Sequence, residues 1–431
     1  MNPHGVHFLK PRNQLVFVAT LCLFLGVVMQ SPALLTLFVM AVAGLVVAYL
    51  DASRMLEQVD VQRVHLPRAF QGSSVGIDLR VEGTSTRSPE LLLLEDEFPP
   101  GVPSRFRHLL ARPLEKGRPL LISYMGSCDH RRGIYFLGPT RLQGSDAFGL
   151  FPNELTVPAI TELLVYPTTV ELEQMGLLGD GVLSHVGLEM STRLGQGEEF
   201  IGIRDYRNGD PQRLIHWRST ARHGRPMTKE FQEEVTTLVS IFLDMGRMGL
   251  TGVGDQTSFE YGVRVAASVA RRATRLGHRI ELFGVGQRVE HLPPGQGEMH
   301  LLTLLDRLAY LKPEGDSGFA AVLSDLLPHL PTGGTAVVIL SATTVSFDRL
   351  SEIVGGMLAR RILPIVVVID DRGFIKLFME QEIAHGKAAS IDETARLLRV
   401  MGARVHVVRR GTNQEGAIAE ALDAGTAEVP R

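Results

Sequence analysis

Cysteine, tryptophan and, over one long stretch, charge are what this 431-residue chain has least of. Two cysteines, Cys22 and Cys128, cannot build a disulfide framework, and no Cys/His spacing of the zinc type accompanies them. Cys128-Asp129-His130 is the one run with a chemical look, and a lone Cys-x-His is expected to be surface loop. There is no Gly-x-x-x-x-Gly-Lys-Ser/Thr, so the chain is not itself a P-loop ATPase. Gly284-Val285-Gly286 has Val289 where a dinucleotide loop needs its third glycine, which excludes that mode of NAD or FAD binding. No Gly-x-Ser-x-Gly elbow occurs. The whole chain is near neutral, at −3 formal charges, so no global charge excess points to a partner. Residues of the hydrophobic class make up 45%, enough for several cores, and the length fits about two or three domains.

Charge is missing altogether from Asn13 to Leu50. A single helix over that span would be about 57 Å long, far more than a hydrocarbon core of about 30 Å. Gln30-Ser31-Pro32 breaks the run, giving two predicted helices, Gln14–Met29 and Ala33–Leu50, as a transmembrane hairpin. A cleaved signal peptide would explain the first apolar run and its basic flank but leaves the second unexplained. His4, His7, Lys10 and Arg12 precede the hairpin, Arg54, Arg63 and Arg68 follow it, and the connecting loop has no basic residue. The positive-inside rule then places both ends, and all that follows Leu50, in the cytoplasm beside the inner (plasma) membrane.

The rest of the chain has two textures. Residues 56–165 read as β: Val75–Val81 alternates apolar and polar residues, and Leu91–Leu94, Pro119–Tyr124 and Ile134–Leu137 are short apolar runs between turn signals. These predict a small antiparallel β-sandwich domain of immunoglobulin-like kind. Arg131-Arg132-Gly133 is a candidate phosphate contact, with a solvated hairpin start as the plainer expectation. From 236 to 431 strands and helices alternate. Strands are expected at Leu238–Asp244, Arg279–Val285, Thr335–Leu340, Ile365–Ile369 and Arg404–Val408. Helices are expected at Phe259–Gly277, Met299–Leu311, Phe319–Leu330, Phe347–Arg361 and Ile391–Met401. That pattern predicts an open, mostly parallel α/β sheet with its ligand face at the strands' carboxyl ends. The organisation read is 1–55 hairpin, 56–165 β domain, 166–235 connecting segment and 236–431 α/β domain.

The connecting segment carries the most unusual chemistry. Between Arg204 and Lys229 lie seven arginines and lysines against two acids, Asp205 and Asp210, together with the only tryptophan, Trp217. Clustered arginines around an aromatic ring suit phosphate and base contacts, an acidic partner, or anionic headgroups. The same residues serve equally to lock this irregular segment onto the α/β core, with Arg204, Arg218 and Arg222 paired to Glu198, Glu199, Asp205 or Asp210.

Three strings from this region form a signature: Gly197-Glu198-Glu199-Phe200; then Arg204-x-Tyr206-x-x-Gly209-Asp210-x-x-Arg213-x-Ile215-His216-Trp217-x-x-x-Ala221-Arg222; then Lys229-Glu230-Phe231. It resembles that of the bacterial "domain of unknown function 58" family. The two N-terminal apolar runs, the Arg131-Arg132-Gly133-Ile134-Tyr135 and Asp146–Phe151 stretches, and the strand ending at Asp244 are similar to that family too. The resemblance implies a membrane-anchored protein with a von Willebrand factor A-like α/β domain. It further implies action beside a MoxR-type AAA+ ATPase in chaperone-like assembly or envelope-stress function, with no enzymatic activity. The signature residues Arg204, Tyr206, Gly209, Asp210, Arg213, His216, Trp217, Arg222 and Lys229 then become interaction or inter-domain residues.

A von Willebrand A domain often carries an adhesion site in which an Asp-x-Ser-x-Ser loop supplies hard oxygen ligands to Mg²⁺. Here the loop reads Asp244-Met245-Gly246-Arg247-Met248, without either serine, and the later strand ends Leu340-Ser341-Ala342-Thr343. The site is degenerate, and no metal or other cofactor is expected. Asp370-Asp371 ends another strand, and adjacent acids are expected to cap a loop. Two functions are open: a membrane-tethered, non-enzymatic protein-interaction module with no nucleic-acid partner, or a hydrolase or nucleic-acid-acting enzyme using His216 with Asp210 or Asp244.

Overall fold

The structure is a computed structural model of the chain, describing residues 11–54, 59–83, 92–111, 114, 117–146, 148–173, 175–177, 199–207, 210, 212–232, 237–315, 318–344, 346–371, 381–410 and 414–424. It divides into two compact units, Met1–Tyr166 and Pro167–Arg431.

The first unit begins with helices α1 (Pro11–Val28) and α2 (Pro32–Arg54). Both are long and apolar enough to cross a membrane. Gln30, at φ 50, makes the turn between them. Gly26 permits the helices to approach there, since a Cβ would lie 3.1 Å from the Leu35 side chain. Phe17, Phe24 and Met40 are among many large apolar side chains exposed along both helices. Water penalises such a surface, and lipid does not.

Ten strands follow: β1 (Val59–His65), β2 (Arg68–Phe70), β3 (Ser74–Gly83), β4 (Leu92–Glu97) and β5 (Arg105–Leu110), then β6 (Leu120–Ser127), β7 (Gly133–Leu137), β8 (Thr140–Ser145), β9 (Pro152–Val157) and β10 (Thr161–Tyr166). They form three sheets, ordered β1-β3-β6, β2-β10-β7 and β5-β4-β8-β9. Pairing is antiparallel except between β2 and β10. The alternation in β3 does what its period requires: Val75, Ile77, Leu79 and Val81 point into the core and their neighbours point out. Leu94, Leu137, Leu142 and Leu163 come from the other two sheets into the same core.

At the centre of that core lies an ion pair. The side chains of Arg63 and Asp96 are wholly inaccessible and bonded to each other. The guanidinium also donates to the Leu137 carbonyl at 2.9 Å and to the Ala159 carbonyl. Asp96 accepts from the Tyr124 and Thr140 hydroxyls, each at 2.6 Å. Gly138, at φ +94, lets the backbone pass close to this arginine, because a Cβ there would meet Ala159 O at 2.7 Å.

The second unit opens with a strap. Val170 N–H donates to Ser268 Oγ at 2.9 Å, Met175 N–H to Asp423 at 3.1 Å, and Arg404 to the Gly176 carbonyl at 2.7 Å. Next come β11 (Glu199–Asp205), α3 (Trp217–His223) and β12 (Met227–Gln232), with β11 and β12 paired antiparallel.

The larger sheet is built from β13 (Leu238–Asp244), then a small ribbon β14 (Gly252–Val253) and β15 (Gln256–Thr257), α4 (Ser258–Arg275), β16 (Arg279–Val285) and β17 (Val289–Gly295). It continues through α5 (Glu298–Tyr310), α6 (Phe319–Leu326), β18 (Thr335–Ser341), α7 (Phe347–Ala359), β19 (Leu363–Ile369), α8 (Gln381–Val400), β20 (Arg404–Val408) and α9 (Gln414–Ala424). Strand order is β17-β16-β13-β18-β19-β20. All pairs are parallel but β16–β17. Helices cover both faces, so all seven residues of β18 are buried. The antiparallel edge strand β17 is absent from the sequence reading; it carries Pro293-Pro294, which only an edge tolerates.

From β13 the chain steps outward to β16 and β17, then returns to place β18 on the opposite side of β13. Strand order therefore reverses between β13 and β18. In open α/β sheets the crevice beyond such a reversal is the ligand position.

Candidate functional site

Two places hold the residues that sequence reasoning singled out. The first is the crevice beyond β13 and β18. Asp244, Gly246, Gly249, Ser258 and Ser341 line a cavity of about 20 Å³ there, room for little more than one water. Gly249 brings the loop tight against the neighbouring strand end, since a Cβ would sit 2.7 Å from Ser341 Cβ. Asp244 is buried, and burial pushes its carboxyl above the ordinary aspartate range, opposed by a 2.9 Å bond from Gly246 N–H to Oδ1. The Ser258 hydroxyl is spent on the Gly249 carbonyl, and it accepts from Thr251 N–H at 3.0 Å.

This donor set does not fit Mg²⁺. A hard divalent ion needs about six oxygens with carboxylate charge, whereas one carboxyl biased toward its neutral form is supplied. Among the described residues no group of three or more His, Cys, Asp or Glu side chains could hold an ion. Arg247 is exposed, and beside the narrow crevice it edges a cleft of about 770 Å³ together with Gln287, Glu314 and Val322. Its backbone N–H ties to Gly315 O at 2.9 Å.

The second place is the β11–β12 hairpin. Arg204 grips Asp210 with both guanidinium nitrogens, at 2.7 and 2.9 Å. Asp210 also accepts from Arg207 N–H at 2.9 Å and from the Thr228 hydroxyl at 3.3 Å. The Arg204 guanidinium, first among these, holds the Asp210 carboxyl below its usual range. Arg204 and Asp210 thus pair as the interlocking alternative expected, but within the hairpin itself. Arg218 and Arg222 do not follow it: both are exposed, and neither has an ion pair among the described residues. The other acid, Asp205, meets Arg225 at 3.2 Å on the surface.

His216 caps the start of α3. Its Nδ1 accepts from Ser219 N–H at 3.2 Å and lies 2.8 Å from the Ser219 hydroxyl, the geometry of a helix cap. Its own N–H donates to Met227 O at 2.8 Å. Gly224, at φ +66, closes the helix one turn later. Trp217 is 70% exposed, Arg213 is exposed, and Tyr206 and Lys229 are half-buried on the hairpin. Gly209 lies outside the described residues.

Two further expectations are corrected. Cys128 is not surface loop: it is fully buried in the β core, where burial pushes its thiol up to about 11. Arg132 is buried rather than solvated, while its neighbour Arg131 is exposed. Asp370 and Asp371 are both buried, with Asp370 at 3.4 Å from Arg409, and the loop they were expected to cap lies outside the described residues. Gly249 and Ser258 were missed by sequence reasoning. Their role comes from a loop folding back on the strand ends, and no local spacing announces that.

The chain is 24% identical over 275 residues to "Uncharacterized protein YeaD" of Bacillus subtilis (strain 168), covering 62% of this chain. It spans 65% of that relative's length. A crystal structure of Bacteroides uniformis beta-glucuronidase aligns at 8% identity over 83% of this chain and 34% of that one; its TM-score of 0.17 carries no argument. Over residues 202–374, from the hairpin to the end of β19 and just beyond, the chain matches the family described as "Protein of unknown function DUF58".

Proposed function

We propose that the protein is a membrane-anchored interaction module and not an enzyme. Helices α1 and α2 span the inner membrane with both ends cytoplasmic, as their basic flanks favour. The three sheets of the first unit build an immunoglobulin-like sandwich. The second unit is a von Willebrand factor A-like domain, a reading supported by its strand order with one antiparallel edge. Its carboxyl-end face docks a partner. The observation that carries this reading is the contrast at that face. The crevice where such a sheet would bind a small ligand is closed to about 20 Å³, and a broad cleft edged by the exposed Arg247 lies open next to it. The exposed guanidinium of Arg247 at that edge suits an acidic protein contact.

The resemblance of the signature makes a MoxR-type AAA+ ATPase the partner of choice, in chaperone-like assembly or envelope-stress function. A photo-crosslinking residue at position 247, in the full chain in intact cells, tests this. Recovery of an AAA+ ATPase whose yield changes with bound nucleotide is the expected result. Membrane pull-downs and crosslinks that contain no AAA+ ATPase would overturn it.

A further inference from the structure

Helix α3 poses a question of its own. None of its seven residues is buried, so it adds little to any core. Yet it holds the chain's one tryptophan, 70% exposed, where water gains the fold nothing from an indole. Around Trp217 stand Arg213, Arg218 and Arg222, with Arg207 on the same hairpin, all exposed and without ion pairs among the described residues. Of the hairpin's four acids, Asp210 is engaged by Arg204 and Asp205 by Arg225, and Glu199 and Glu230 lie on β11 and β12, against seven arginines and lysines. The surface is thus positive, with one large amphipathic ring at its tip.

We infer that this hairpin is a peripheral membrane contact that seats Trp217 at the headgroup level of an anionic leaflet, with arginines 213, 218 and 222 on lipid phosphates. Three features favour lipid over other anions. A helix with no buried residue and an exposed indole fits a soft interface better than a rigid partner, which would need a matching pocket. Guanidinium groups bind phosphate oxygens in pairs, and indole rings settle at the boundary between headgroups and acyl chains. Helices α1 and α2 also keep the chain beside a bilayer, so even weak attraction acts at high effective concentration. The inference rests on the membrane-anchored reading above, but not on any ATPase partner.

Trp217 supplies its own assay, because no other tryptophan contributes to the emission. The full chain is reconstituted in bilayers of phosphatidylcholine alone and in bilayers with phosphatidylglycerol added, each with and without brominated acyl chains. The expected result is a blue-shifted emission quenched by bromine only where phosphatidylglycerol is present. High salt should reverse it. It should vanish in an Arg213→Glu, Arg218→Glu, Arg222→Glu variant whose circular dichroism is unchanged. Identical emission in both bilayers, or quenching indifferent to salt and to the charge reversals, overturns the inference. So does a blue shift produced by poly-glutamate or single-stranded DNA but not by phosphatidylglycerol. Alkaline extraction separates the two readings: release of the chain from the bilayer defeats the anchor, and the lipid response of the released protein on added vesicles still decides the hairpin.

Discussion

The β-rich core buries its central charge by pairing it, whereas Asp244, His278 and His406 of the α/β unit are buried and driven toward their uncharged forms. In the first unit Arg63 and Asp96 sit side by side with wholly inaccessible side chains, and hydroxyls and carbonyls occupy their remaining bonds. In the second unit, burial drives Asp244 upward and His278 and His406 downward, each toward its uncharged form. The architectures explain the difference. Antiparallel strands with one solvated face alternate polar and apolar residues, so a long side chain such as Arg63 can reach across the core to carbonyls on other strands. A parallel sheet covered on both faces offers its strand and loop ends few such partners. Both ring nitrogens of His278 lack a hydrogen bond.

The largest effect should come from breaking the pair. Arg63→Met leaves Asp96 charged and enclosed, and should cost the β-rich unit about 3–5 kcal/mol. Hydrogen exchange on peptides of the full chain reads each unit separately, and the α/β peptides should be unaffected. Arg63→Met combined with Asp96→Leu should recover most of that loss. If the double variant is as unstable as the single one, pairing is not what stabilises this core.

Asp210→Asn is the next step down, because the Arg204 pair staples a surface hairpin and not a core. It should cost about 2 kcal/mol, read as faster exchange in 199–232. Asp210 is held below its unfolded pKa, so its contribution is present above about pH 4 and is lost as pH falls through and below that value. The variant should lack that acid-dependent loss.

The histidines test the neutralising unit directly. A histidine whose folded pKa is lowered stabilises fully above about pH 6.5, and that stability falls as acid protonates the unfolded chain first. Each of His278 and His406 should contribute a loss of up to about 1.4 kcal/mol per pH unit below 6.5. Hydrogen exchange on peptides of the α/β sheet reads this unit, and His278→Leu should flatten its pH profile. An unchanged profile would mean that His278 titrates alike in both states. The smallest change is expected from Asp244→Asn. An acid whose folded pKa is raised loses stability as pH rises above about 4, so the neutral amide should stabilise the unit at pH 7 by on the order of 1 kcal/mol. A destabilised Asp244→Asn would instead reveal a use for the carboxylate charge.

How much of this was legible beforehand varied with how local the signal was. β13, β16, β18 and β20 fall within a residue of their expected bounds, because fully buried strands read as unbroken apolar runs. β5 and β9 were missed: Arg105–Leu110 and Pro152–Val157 mix charge, proline and apolar residues, and pairing to β4 and β8 is what makes them strands. The basic segment was visible as composition, but its division into a locked pair and an exposed arginine face was not. Arg204 and Arg222 look alike in the chain, and only the return of β12 past residue 210 separates them.

Sequence alone determined the two apolar spans, the alternating β/α register and the basic segment, because each is a periodicity or a local density of one residue type. The tertiary structure decided the rest. It reversed strand order between β13 and β18, folded Gly249 and Ser258 over Asp244, enclosed Arg63 with Asp96, and left Trp217 outside. Those outcomes depend on which distant segments share a surface, since burial and partner choice set both the charge state and the exposure of a side chain.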